Sequence, residues 1–193
     1  MKRQTGVTAR SLLATSRPLE VDLDADTALE QLYAAHWRGL VRLAVLLLRD
    51  RGAAEEVVQD SFVAMHGRWR SLHDHDKALA YLRRTVVNRS RSALRHRGVV
   101  ERYVARQGPA LTLADPADTP ALVSDRRSAV LDALRALPTR QREVLVLRHY
   151  LDLSETEIAE TLGISRGSVK AHASRGSAAL RGLLADQLHE GEI

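Results

Sequence analysis

Apolar residues recur along most of this chain at the three- and four-residue spacing of a helix face, and strong strand runs are few. Asp26 or Thr27 can cap a first helix running to about Leu48. Leu29, Leu32, Tyr33, Trp37, Leu40, Val41, Ala44 and Leu47 form its apolar stripe, with Arg38 and Arg42 outside it. Asp50 to Gly52 interrupts the pattern. A second helix spans about Ala53 to Trp69, with Glu55 and Glu56 in its first turn and Val57, Val58, Phe62 and Met65 turned to the core. Glu56, Gln59, Asp60 and Val63 lie on or near a different face. After a polar loop from Ser71 to Asp76, a third helix runs from Lys77 to about Arg97. Leu79, Leu82, Val86, Ser90 and Leu94 make its sparse buried stripe, and arginines cover the rest.

Periodicity then lapses. Gly98 to about Ser124 holds Gly108, Pro109, Pro116 and Pro120 with Asp115 and Asp118, the composition of an interdomain linker, although Val99 to Gln107 can prolong the helix. Helical spacing returns near Asp125 with Val130, Leu131, Leu134 and Leu137, ending before Pro138. Thr139 can cap the next helix, through Val144, Leu145, Leu147 and Tyr150. Residues 1–26, with no period and an acidic run at Glu20, Asp22, Asp24 and Asp26, read as a mobile tail. The expected architecture is all-α: two small helical domains, 27–97 and 125–188, joined by a flexible linker at 98–124.

The stretch from Leu153 to Leu184 has the most definite form. Ile158, Ala159 and Leu162 give a short helix an apolar stripe, and Gly163 follows where a helix end favours a left-handed residue. Ile164 plugs the turn, and Ser165 can cap the helix after it. That helix buries Val169, Ala173, Gly176 and Leu180 and shows Arg166, Lys170, Ser174 and Arg175 on its other side. Ala159, Gly163 and Val169 suit a close, steep helix crossing. This is the helix-turn-helix pattern, whose second helix enters the DNA major groove.

Charge sharpens the picture. The chain of 193 residues has a net charge of +5, but its distribution says more than its total. No acid occurs from Gly163 to Leu183, and Lys77 to Arg97 holds seven basic residues and no acid. One-sign helices of this kind suit phosphate approach. The chain lacks cysteine, so disulfides and thiolate zinc sites are excluded. Neither Ser11–Ala14 nor Val45–Leu48 is long enough for a signal-peptide core or a membrane span, and a cytoplasmic protein is expected.

Chemistry-bearing decoys fall away on context. Gly163-Ile164-Ser165-Arg166-Gly167 matches a hydrolase nucleophile elbow, but a helix precedes it where a strand is needed. His73-Asp74-His75-Asp76 has no third ligand at helical spacing, so a hydrated loop is expected and no metal. No phosphate loop or catalytic dyad appears. Neither an enzyme nor a cofactor is expected.

Three stretches together resemble the short, two-domain extracytoplasmic-function branch of the sigma-70 family of bacterial RNA polymerase sigma factors. LYAAHWRGLVRLAVLLLRDRGAAEEVVQDSFVAMHGRW is similar to the core-binding part of region 2. AYLRRTVVNRSRSALRHR is similar to the part that meets the promoter −10 element. ALPTRQREVLVLRHYLDLSETEIAETLGISRGSVKAHASRGSAALR is similar to region 4, which reads the −35 element.

The resemblance implies a subunit that binds core RNA polymerase and directs promoter recognition and transcription initiation. Its partners would be core polymerase (β′ coiled coil and β flap), promoter DNA and an anti-sigma factor, without a membrane span. Glu56, Gln59, Asp60 and Val63 would dock on the β′ coiled coil, Asp60 being the most family-like among them. Asn88 would contact opened −10 DNA, with Arg83, Arg84, Arg91 and Arg95 on phosphates and the loop Ser71–Asp76 completing a pocket. Trp69 and Tyr81 could stack on bases, but core packing is the expected place of both. Many members carry an acid four residues beyond the Asn; this chain has Ser92 there.

Arg166, Ser168, Lys170, His172, Ser174 and Arg175 would face the −35 groove, Arg166 and Lys170 toward bases and Arg175 toward backbone. The linker would thread polymerase channels along the path of nascent RNA. The rival reading is a self-sufficient helix-turn-helix regulator with an N-terminal dimerisation or sensor domain, which leaves the basic third helix without a reason.

Overall fold

The computed structural model describes residues 17–71, 77–106 and 124–190. Among them are seven α-helices and no strand: α1 (Arg17–Leu48), α2 (Arg51–Arg68), α3 (Ala78–Arg106), α4 (Ser124–Ala136), α5 (Thr139–His149), α6 (Glu155–Leu162) and α7 (Arg166–Glu190). A 3₁₀ turn, Trp69–Ser71, closes α2. The all-α expectation holds. The histidine-rich stretch 72–76, most of the linker (107–123) and residues 1–16 lie outside the described residues.

Helices α1, α2 and α3 pack on one another as a first bundle, and α4, α5 and α6 pack around α7 and each other as a second. Leu43, Met65, Leu82, Val58, Val86 and Val87 centre the first core; Leu147, Ile158, Val144 and Val169 centre the other. The bundles are not separate. Helix α1 packs on α4 and α5, and α3 packs on α6, so that one apolar cluster runs through both.

Several boundaries differ from those the sequence predicts. Helix α1 begins at Arg17, ahead of the Asp26 or Thr27 cap, so part of the expected tail is helical. Its apolar stripe also includes Leu43, fully buried, whereas Tyr33 is exposed and lies over Trp37 and Phe62. Helix α2 starts at Arg51, because Asp50 caps it by accepting from the Ala53 N–H at 2.9 Å. Glu55 and Glu56 therefore fall beyond the first turn. Helix α3 continues to Arg106, through the opening of the expected linker. Thr139 is not a cap but the first residue of α5; Pro138 precedes it, and its carbonyl accepts from the N–H groups of Gln141 and Arg142.

The helix-turn-helix forms as its spacing requires. Gly163 ends α6 at φ 64°, the left-handed region that an L side chain rarely adopts. Ser165 Oγ accepts from the Ser168 N–H at 3.1 Å and caps α7. Val169, Ala173 and Gly176 are buried. At Gly176 the backbone approach is close: an added Cβ would stand 3.1 Å from Gln141 Cβ and 3.2 Å from Leu145 Cδ1.

Candidate nucleic-acid interface

The docking candidates of α2 lie together. Glu56, Gln59, Asp60 and Val63, spaced to share one helix face, are all exposed, opposite the buried Val57, Val58, Phe62 and Met65. Val63 is 66 % exposed, an apolar side chain left in solvent on a folded helix. Asp60 accepts from Arg89 of α3 at 2.8 Å, which ties this face to the basic helix beside it.

On α3, Asn88, Arg84 and Arg95 are exposed, while Arg83 and Arg91 are half-buried. An open cleft of about 450 Å³ lies along this face, lined by Arg68, Tyr81, Arg84, Thr85, Asn88, Arg89 and Ser92. Amide, hydroxyl and guanidinium groups round a cleft beside an aromatic ring can bind a base edge and the phosphate next to it. Ser92, four residues beyond Asn88, adds no negative charge here and accepts from Arg95 at 3.1 Å. Trp69 is buried, and Tyr81 is half-buried against the core while also lining the cleft. The loop assigned to the rest of the pocket has only Ser71 among the described residues.

Arg91 has a different environment from its neighbours. Its guanidinium donates to both carboxylate oxygens of Glu143 on α5, at 2.8 and 2.9 Å, and to the Asn88 side-chain oxygen at 3.3 Å. Glu143 is buried, its side chain only 3 % exposed, and it also takes Arg140 at 3.1 Å.

On α7, Arg166, Lys170, Ser174 and Arg175 are exposed and Ser168 is half-exposed, so they form the outward face of the second helix of the motif. Lys170 Nζ lies 3.8 Å from a Glu155 carboxylate oxygen, a contact that restrains the ammonium without burying it. Arg175 folds back to the Ala171 carbonyl at 3.3 Å. His172 is half-buried, with its Nδ1 closed off from solvent, and faces outward least of the six.

Helix α6, which supports α7, is fixed by a reciprocal cap that the sequence reading missed although Ser154-x-x-Glu157 signals it. Ser154 Oγ accepts from the Glu157 N–H at 3.3 Å, and the Glu157 carboxylate accepts from the Ser154 N–H at 2.9 Å and its hydroxyl at 2.7 Å. These bonds, and then the charge of Arg83, hold the Glu157 carboxyl below the usual glutamate range. Also missed were the buried polar residues of α5, Arg142 and Glu143. They sit beside Val144, in a stretch that is buried all round and so has no polar face to betray them.

Two helical bundles, each presenting cations along one exposed helix face, define a DNA-binding protein of the transcription-factor class. Comparison with known proteins makes that specific. Residues 32–99 match the family model Sigma-70 region 2, and residues 127–180 match Sigma-70, region 4. The chain is 34% identical over 142 residues to the RNA polymerase sigma-E factor of Streptomyces coelicolor, covering 74% of this chain and 77% of that one. It is 32% identical over 160 residues to the ECF RNA polymerase sigma factor SigM of Mycobacterium tuberculosis, covering 81% and 77%. Its fold is that of the sigma factor RpoE of Bartonella quintana, solved in complex with the anti-sigma factor NepR. The TM-score is 0.65 and the identity 24%, over 81% of this chain and 96% of that chain. The chain belongs to the sigma-70 family of RNA polymerase sigma factors, in its extracytoplasmic-function branch.

Proposed function

We propose that this sigma factor works as two reading heads on one polymerase. Residues 27–97 are the unit that binds core enzyme and meets the −10 element, and residues 125–188 are the unit that meets the −35 element. Glu56, Gln59, Asp60 and Val63 dock α2 on the β′ coiled coil, a helix-on-helix contact in which Val63 supplies the apolar anchor. Region 4 rests on the β flap. Asn88 reads an unstacked base of the opened −10 strand from the cleft on α3, while Arg83, Arg84, Arg91 and Arg95 hold phosphates. On α7, Arg166 and Lys170 reach base edges of the −35 element, Ser168, His172 and Ser174 flank them, and Arg175 holds the backbone.

The observation that carries this reading is the side-by-side placement of an exposed docking face on α2 and a cation-lined cleft on α3, joined by Arg89 and Asp60. A regulator acting alone needs neither. The protein has no catalytic part in this scheme, since polymerase makes the RNA. Its place of work is the cytoplasm, where chromosome and polymerase are. An anti-sigma factor is a fitting further partner, as the relative solved with NepR has one. Footprinting of a cognate promoter with core enzyme, with this chain and with both tests the scheme. Protection of both elements should need both proteins. Protection of duplex DNA by the chain alone, undiminished without core enzyme, would favour the self-sufficient regulator.

A further inference from the structure

Two cations on the outward face of α7 stand in different surroundings. Arg166 has no acidic partner in the described contacts. Lys170, four positions on and so on the same face, lies 3.8 Å from a carboxylate oxygen of Glu155, the first residue of α6. The other oxygen of that carboxylate accepts from Arg148, in the last turn of α5, at 2.8 Å. Three helices of the second bundle therefore meet at one acid. Glu155 is 25% exposed, Arg148 33% and Lys170 67%, so the carboxylate is the anchored member and the ammonium the free one.

Capping does not account for Glu155. The N-terminus of α6 is already served by Ser154 and Glu157, each accepting from the other's backbone N–H. Nor does a carboxylate here favour DNA as such. The first helix of a helix-turn-helix lies across the phosphate backbone while the second enters the groove, so an acid at the start of α6 repels phosphate and weakens binding to every sequence alike.

What the acid can do is confine Lys170. An ammonium on a flexible four-carbon stem is a point charge that any phosphate oxygen in reach will satisfy. Held beside Glu155, it keeps one of its three donors on the carboxylate and has two for the groove, the number that O6 and N7 of guanine accept. The same carboxylate keeps phosphate at a distance, so the ammonium is not drawn off to the backbone.

We propose that Glu155 is a positioning residue for −35 recognition: anchored by Arg148, it holds Lys170 to one base pair and makes that pair a G·C. The inference rests on the reading of α7 as the −35 helix with Lys170 at a base edge. Arg166 reads its own base without such a restraint, so the two cations differ in what their loss or release does to specificity.

The test uses holoenzyme made from core polymerase and the full chain. Its probes are promoter duplexes, taken from transcripts that this chain induces, in which each −35 base pair is replaced in turn. Lys170→Ala should abolish discrimination at one G·C pair. Glu155→Gln should lower discrimination at that same pair about fivefold, the low end of what a paired base contact contributes, while raising occupancy of the mismatched duplexes. The slope of log K against log salt should steepen by about 0.9, one phosphate on duplex DNA, as Lys170 moves to the backbone. In a Lys170→Ala background, Glu155→Gln should leave discrimination unchanged. Glu160→Gln, the same charge change at an exposed position of α6 with no ion pair to Lys170 in the described contacts, should leave it unchanged in the wild-type background.

Full discrimination in Glu155→Gln overturns the positioning role and leaves the −35 reading standing. A loss that persists without Lys170, or that Glu160→Gln reproduces, overturns the role too, because the acid would then act as general charge or as a support for α6. If Lys170→Ala alters discrimination at no base pair, the reading of Lys170 beneath the proposal falls, and the proposal with it.

Discussion

The guanidinium of Arg142, on α5, donates at 2.7 Å to the carbonyl of Leu47, in the last turn of α1. The same group donates to the Arg135 and Leu137 carbonyls, at 2.9 and 3.3 Å. One buried cation thus satisfies the open carbonyl ends of two helices, where the helix dipole is negative. Burial first, and then the charge of Arg135, push its pKa below the usual arginine value, but guanidinium stays charged in a folded protein. Arg142→Ala should therefore destabilise the chain by about 2–4 kcal/mol, since it strands carbonyls that lost their water on folding. Denaturant unfolding measures it. Arg142→Lys should recover little, because an ammonium cannot fork to several carbonyls. A loss below about 1 kcal/mol would remove Arg142 from this role.

The cap of α2 should make stability depend on pH in the acid range. The Asp50 carboxylate is held below its ordinary value of 3.8, first by the Ala53 N–H and, against the cost of burial, by Arg97 at 2.6 Å. A depressed carboxyl pKa contributes stability above the unfolded value and loses it as pH falls through the folded one. Asp50→Asn keeps a capping side chain but removes the charge. The stability gap between wild type and this variant should be flat from neutral pH down to about 4 and close below it. A gap that widens on acidification would contradict the assignment.

Arg166 is exposed at the start of α7 with no acidic partner in the described contacts, which suits a side chain kept for DNA. Arg166→Ala should weaken −35 recognition by about 1–3 kcal/mol and relax discrimination there, without affecting assembly with core enzyme. Transcription from −35 variants reads this directly. Unaltered discrimination would move the base-reading role elsewhere on α7.

On the docking face, Val63→Asp and Asp60→Ala should each weaken core-enzyme binding about tenfold or more, near 1.4 kcal/mol. Anisotropy titration of labelled chain with core polymerase measures it, and binding to −35 duplex serves as the control. Unchanged core binding in both variants would place docking on another surface.

Much of this was legible in the chain because its signals are local. Gly163 and Ser165 announce a helix end and a helix start by backbone chemistry alone, and both act as expected. The exposed set at 56, 59, 60 and 63 follows from helical spacing once the buried face of α2 is known. What spacing could not convey is pairing at a distance. Glu143 looked like one more polar residue on a helix, yet it is buried and reaches Arg91, 52 positions away. Arg142 was silent for the same reason, and so was the contact between bundles. The start of α1 was misjudged because the acidic run before Asp26 lacks the apolar stripe by which a helix is recognised, although the helix carries through it.

On the proposed reading, α3 and α7 serve one promoter, with core polymerase as the obligate partner. Run-off transcription with purified core enzyme and a promoter identified from transcripts induced by this chain tests it most directly. Core enzyme with the wild-type chain should start at one position. Asn88→Ala should lower the yield on closed duplex template far more than on a template already mismatched across the −10 element. Equal yields from the variant and the wild type on closed duplex, or a start site that forms without the chain, would contradict the claim.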